Sequence, residues 1–534
     1  MRNNAPTRPL SVGWDQRACE RRPTVTDVAI GGPALASSLV PPYHHVVGAK
    51  KWSAIAWLVI ATCGACGREQ PPLRQVAAKP SPSTKEATVD RSREIERPAV
   101  EQTENDERST PAPVVSGLDK APRPDTGTKP PDVQPAVDEK RIAAAGIRTI
   151  VGNHLTLFTD LPADDAIDAL PQLFDRAVPL WCAYFAVDES DAAKWQVRGC
   201  LMNDAERFKT AGLLPNELPP FAHGFTRGNE IWWYEPSWTY YRSHLMIHEG
   251  THAFLNCRFG TCGPPWYMEA TAELLATHRM EGDRLRLAYF PAHRDELPGW
   301  GRIKIVLDAV GEGRGLTIDE ILAYPPDANL NNEVYGWCWA IAAFLDGHPR
   351  YHDRFRSLVA ELRAEDFNGR FRSRFADDRQ DLDLEWQAFT HELDYGYDLA
   401  RAAIEFRPAK PLAEKGQTIA IAADRGWQSS GIRLSAGSEY EIAGRGRYEV
   451  ADQPHPWWCE PGGVTLRYYR GRPLGMLLAT VLADDEPNWP APVAIGLGGK
   501  LSPEKSGTLY LRINDSPAEL ADNAGSLEVH ARSR

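Results

Sequence analysis

Two histidines four residues apart, His248 and His252, stand around a glutamate, Glu249, within the run 244–255. On a helix this spacing puts both imidazoles on one face, where they can converge on a single ion with Glu249 beside them. A catalytic zinc takes three protein ligands in tetrahedral array and leaves its fourth position to water. Glu269 is the best third ligand, because Pro264 and Pro265 can open a second helix that presents Glu269 and Glu273 four residues apart on one face. Glu273 is then placed to orient a histidine from behind. Glu249 is left as the general base, taking a proton from the water that the ion acidifies and returning it to a leaving amine. The reaction expected of such a set is amide hydrolysis. Taken alone, the five-residue pattern also suits a helix with two exposed histidines, and it is the second helix, with Trp266, Glu269 and Glu273, that turns it toward a metal site. Gly250 points the same way: a glycine inside a helix costs about 1 kcal/mol and is tolerated where other atoms must come close.

A chain of 534 residues, 43% of them hydrophobic, has room for two or three domains to carry this pair of helices. Its net charge of -12 and the lack of a long Lys/Arg run argue against a nucleic-acid partner. The nine cysteines form a CxxC pair only at Cys63 and Cys66, so a cysteine-rich zinc site is not expected.

Residues 1–48 show no clear hydrophobic period and stay unassigned, with the true start expected near Val46 or Val47. Lys50 and Lys51 precede an apolar run, 52–62, that ends in small residues, the order an export signal requires. That run is about half the ~20 residues of a spanning helix. Gly64-Ala65-Cys66 resembles a bacterial lipobox, which makes 49–66 a signal segment and implies a lipid anchor on Cys66. Residues 67–140 are rich in Pro, Thr, Ser, Glu and Lys and nearly free of aromatics, the composition of a disordered tether. The expectation is an exported protein, held at a membrane and facing the periplasm or cell surface.

Folded structure is expected from about residue 141. Short strands at 149–151 and 154–158 precede a helical period over 163–185. Residues 221–234 read as a β-hairpin turning at 226–229, a candidate cleft wall for extended substrate. Helical patterns then run through 302–307, 316–322, 335–345, 351–365 and 382–393. Near Lys410 the texture changes to strand-like runs at 418–421, 440–442, 464–469, 508–513 and 526–530 between turns, a separate β-sandwich over 409–534. Cys257 with Cys262, and Cys182 with Cys200, are candidate disulfide pairs whose connectivity the sequence leaves open.

Residues from about 142 to 405, within a domain expected over 141–408, resemble the gluzincin metallopeptidases of the peptidase-MA-like branch, in which HExxH is followed by a glutamate ligand on the next helix. The segment 265–270 is similar to the Trp-Leu-Asn-Glu-Gly segment of aminopeptidase-type relatives, although sixteen residues here separate His252 from Glu269 against eighteen there. The resemblance implies an α+β zincin-like domain and a transition-state donor on a later helix, for which Tyr335 is the best match. Residues 412–531 resemble the bacterial galactophilic calcium-lectin family, through 426–432, 513–516 and 521–527. That likeness implies calcium on Asp515, Asp522 and Asn523, with Tyr448 and Glu519 offering backbone carbonyls and His455-Pro456 at the place of the family's sugar contact. The same residues are also ordinary hairpin-turn material. The function expected is an exported zinc metallopeptidase acting on protein or peptide, with an accessory carbohydrate-binding-like domain. The alternative is a surface-binding adhesin on a gluzincin scaffold that has lost turnover.

Overall fold

The computed structural model describes residues 136–325, 331–486 and 488–534. The signal segment, the lipobox and nearly all of the expected tether lie outside these residues. The boundary expected at 140 moves slightly, because helix Glu139–Ala144 begins before it, with the Asp138 side chain capping Lys140 N and Arg141 N. Among the described residues no helix is long and apolar enough to cross a membrane.

The first domain is built on a five-stranded sheet of β1 (Arg148–Val151), β2 (Leu155–Thr159), β3 (Val197–Met202), β4 (Gly224–Arg227) and β5 (Glu230–Tyr234). The strand order is β1-β2-β3-β5-β4, which leaves β4 on the edge. β2, β3 and β5 run parallel, while β1 and β4 pair antiparallel at the two sides. Alternation along β3 separates two cores: Val197 and Leu201 join the large helical core, while Cys200 and Met202 join the smaller one beneath. Cys182 belongs to the large core and Cys200 to the small one, and both are free thiols. That expected disulfide is therefore not formed; the sheet itself stands between the two sulfurs.

Helix Thr239–Phe259 carries His248, Glu249 and His252, and from His244 to Leu255 every residue is buried. A helix covered on all sides shows little amphipathic period, so its sequence signal is the metal pattern and not a hydrophobic stripe. Gly250 packs against helix Leu170–Tyr184 so closely that a Cβ would stand 2.7 Å from both Phe174 Cε2 and Trp181 Cη2. The helix ends at Gly260 in the left-handed conformation, and Pro265 opens the next one, Pro265–Ala276, as the two prolines predict. Helix Asn332–Gly347 packs beside it, and helix Arg302–Gly311 packs in turn on Asn332–Gly347. The hairpin Arg279–Glu281/Arg284–Arg286 and helix Phe367–Arg374 are additions to the expected elements.

The second domain is a sandwich of a five-stranded and a four-stranded sheet. Strands Gln417–Ala422, Tyr440–Arg445, Val464–Tyr469, Gly507–Ile513 and Ser526–Ser533 fall where the texture places them. Two central strands are new. Leu477–Ala483 lacks alternation because one side faces the sandwich core while Leu478 and Leu482 join Leu384, Ala388 and Ile404 of the first domain. Gln428–Leu434 opens with buried polar residues, which are satisfied: Ser430 Oγ donates to Leu509 O at 2.7 Å, and the Gln428 amide bonds Ala422 N and O.

Arg512 seals the junction between the domains. Its guanidinium donates to both oxygens of Glu392 at 3.0 and 2.8 Å and to Asp515 O at 2.5 Å, over the Trp427 ring. Deleting one partner of a buried, hydrogen-bonded pair costs about 3 kcal/mol or more. We expect Arg512→Ala to lower the unfolding free energy by that amount in chemical denaturation, with the first-domain and sandwich transitions separating where the parent shows one.

Candidate metal centre

The two helices that open the sequence argument bring three ligand atoms together. His252 Nε2 lies 3.1 Å from His248 Nε2, and Glu269 Oε2 lies 3.2 Å from His248 Nε2 and 3.7 Å from His252 Nε2. Ligand atoms at about 2.0–2.1 Å from a tetrahedral zinc stand about 3.3–3.4 Å from one another, so the spacing suits the ion. All three side chains are buried, and Glu269 Oε2 has no hydrogen-bond partner of its own. Two ring nitrogens and a carboxylate oxygen brought this close form a set that could hold a divalent cation.

Behind these ligands runs a chain of buried polar contacts. His248 Nδ1 stands 3.2 Å from Glu273 Oε1, so the carboxylate fixes the ring with Nε2 turned to the ligand point. Arg302 in turn donates to Glu273 Oε2 at 2.8 Å and Oε1 at 3.1 Å, and to Tyr241 OH at 2.9 Å. Burial raises the Glu273 carboxyl, but Arg302 and the histidines outweigh it and hold the group well below the usual carboxylate range. Glu269 is likewise held down, to about 2, by His248 and His252 against the upward push of burial. His244 Nδ1 faces the Ala276 carbonyl at 3.0 Å, its ring stacked on Tyr241 and its Nε2 3.5 Å from Glu273 Oε2. His244, His248 and Glu273 also lie within ligand distance of one another. Arg302 already supplies the positive charge for that second group, which makes it the support of the first.

Glu249 lies beside the ligands, buried, with its Oε2 2.6 Å from Thr226 Oγ1 on edge strand β4. Burial pushes its carboxyl above the ordinary value, the direction that suits a base working near neutrality. Tyr335 packs beside His248, its ring 6.0 Å from the imidazole and capped by the Arg302 guanidinium at 5.5 Å. Burial, then the nearby Glu269, Glu249 and Glu273, raise its phenol, which stays protonated as a donor must be. Cys257 and Cys262 are buried next to the site, with Cys262 Sγ 3.4 Å from the His252 carbonyl.

In the sandwich, Asp515 and Asn523 are brought together. Asn523 Nδ2 donates to Asp515 Oδ2 at 2.8 Å and Ser516 N to Oδ1 at 2.7 Å. Asp522 Oδ1 and Asn523 Oδ1 are both buried without partners, oxygens of the kind calcium takes. Burial first, then Glu519 and other neighbours, lift Asp515 to about 7 and Asp522 to about 6. The Glu519 carboxylate is engaged by Arg467 at 2.5 and 2.6 Å, and Glu449, next to Tyr448, bridges to Ala524. His455 and Pro456 are exposed in the loop before strand Trp458–Cys459.

No family model matches the chain, and no curated protein matches it. Among solved structures it is similar to one described as "EclA N-terminal domain; PllA-like lectin", with 20% identity and a TM-score of 0.19, over 23% of this chain and 100% of that one. What stands on geometry is an α+β domain with a buried His/Glu cluster, followed by a β-sandwich.

The sequence pointed to His248, His252, Glu269 and Glu273, which the fold brings together, but not to Arg302, Tyr241 and Thr226 beside them. Arg302 carried a signal, since an arginine heading an apolar helix after a pair of buried glutamates is a natural counter-ion. Outer partners of a ligating histidine are worth about 10–100-fold in metal affinity. Glu273→Gln keeps the shape and removes the charge that orients His248. We expect it to weaken zinc binding by about that factor in a competition titration with a chelating dye.

Proposed function

We propose that the first domain is a zinc-dependent hydrolase that cleaves peptide bonds. The observation that carries this reading is the convergence of His248 Nε2, His252 Nε2 and Glu269 Oε2 within 3.1–3.7 Å, with the Glu249 carboxylate alongside. Those three residues would hold the ion, which when bound supplies Lewis acidity and a lowered water pKa. Glu249 accepts the proton of the attacking water and passes it to the leaving amine. Tyr335 donates its phenolic proton in a hydrogen bond to the oxygen on which charge develops. Edge strand β4 offers unpaired backbone to an extended chain, which favours a peptide as substrate. Export on a lipid anchor would set this work outside the cytoplasm. In a peptide-library assay on zinc-loaded protein, Glu249→Gln should keep its zinc and lose about 10²–10⁴-fold in rate. A variant that cleaves at the parent rate with zinc bound contradicts the assignment.

The sandwich, in the same proposal, is a calcium-binding module at Asp515, Asp522 and Asn523, the partnerless Asp522 Oδ1 and Asn523 Oδ1 being the supporting observation. The sign of its pH dependence follows. An acid raised from 3.8 to about 7 in the folded state holds a proton there that the unfolded chain has lost, so folded stability falls as pH rises through that window. Calcium binds the ionised form, and its effect grows in the same direction. Thermal melts should show a larger calcium-induced rise at pH 8 than at pH 5, and an Asp515→Asn variant should show a smaller difference, the remainder coming from Asp522.

A further inference from the structure

Strand β4 does more at this site than offer an edge. Gly224 and Thr226, two residues apart, point to the same side of the strand, and that side faces the helix of Glu249. Thr226 Oγ1 is 2.6 Å from Glu249 Oε2 and 3.0 Å from Glu249 O. A hydroxyl has one proton, and the charged carboxylate is both the nearer and the stronger acceptor; 2.6 Å is the length of a charge-assisted O–H···O⁻ bond. Gly224 leaves room for the other oxygen: a Cβ there would stand 2.3 Å from Glu249 Oε1. The carboxylate thus lies along the strand, with Oε2 held by a donor and Oε1 over bare backbone.

We propose that Thr226 is a positioning residue for Glu249, fixing Oε2 and with it the aim of the carboxylate, and that Gly224 is the space this arrangement needs. The inference rests on the peptidase reading for its catalytic meaning but on this geometry alone for the contact. It assigns the edge strand a second task, since the backbone that pairs with substrate also carries the side chain that aims the base. Binding of an extended chain along β4 and orientation of Glu249 are then set by one element.

The test uses the full chain with Thr226→Val, which keeps the β-branched shape and removes the hydroxyl, and Thr226→Ser, which keeps the hydroxyl. Zinc content, steady-state cleavage of the best library peptide and a crystal structure are obtained for each. Misplacing a reacting group by about 1 Å costs up to about 100-fold. We expect Thr226→Val to bind zinc like the parent, to lose about 10–100-fold in kcat with KM little changed, and to show the Glu249 carboxylate displaced from its place. Thr226→Ser should restore both rate and position. An unchanged kcat, or a Glu249 carboxylate unmoved in Thr226→Val, overturns the proposal. If zinc-loaded parent protein cleaves no peptide, the peptidase reading fails by itself, and the crystal structures still decide whether Thr226 holds Glu249.

Discussion

Two carboxylates, Glu269 and Glu273, are buried on one face of one helix in contact with the imidazoles of the next, and much of the first domain is arranged around the cost of keeping them there. An unpaired ionised carboxylate in the interior is prohibitively expensive. Glu273 is compensated by Arg302, itself buried and flanked by Tyr241 and Tyr335. Glu269 Oε2 lies against the two histidines, 3.2 Å from His248 Nε2 and 3.7 Å from His252 Nε2. That asymmetry gives the proposed site its direction: the outer carboxylate is paired with an arginine, and the inner one is the carboxylate the proposed cation would take.

The sheet provides the opposite wall. Because among the described residues β4 pairs on one side only, the first domain keeps an edge there beside Glu249, and exposed edges are usually covered or blunted in stable folds. Here the edge lies over the base and is held to it through Thr226. Gly250, on the other side of the same helix, admits Phe174 and Trp181 at close range, so the helix is clamped from both sides and its register on the sheet is set. Precision at the ligand point comes from this double packing, since ligands on a rigid, buried helix need little reorganisation.

Much of this was legible in the sequence because the chemistry constrains spacing. His248, Glu249, His252, Glu269 and Glu273 were readable from helical periodicity and a proline pair, and the edge hairpin from its turn at 226–229, although the fold gives Thr226 and Arg227 to the strand and leaves Gly228 and Asn229 as the turn. Tertiary contacts left weaker traces. Thr226 reads as a turn residue until the fold brings it to Glu249, twenty-three positions away. Leu477–Ala483 was missed because its two faces serve two different cores, which erases alternation. Of the candidate pairs Cys182–Cys200 and Cys257–Cys262, whose connectivity the sequence left open, neither is joined as a disulfide, and for the first the sheet decides it, since each sulfur lies in a different core.

The sandwich is joined to the first domain through Arg512, whose contacts reach Glu392 on one side and the backbone of Asp515 on the other. The loop that holds the candidate calcium residues is therefore also part of the junction. The central claim, however, concerns the first domain, and anomalous diffraction at the zinc edge from crystals grown with zinc tests it most directly. The account requires a single strong peak within about 2.0–2.2 Å of His248 Nε2, His252 Nε2 and a Glu269 oxygen. An empty site, or zinc held by other residues, would contradict it.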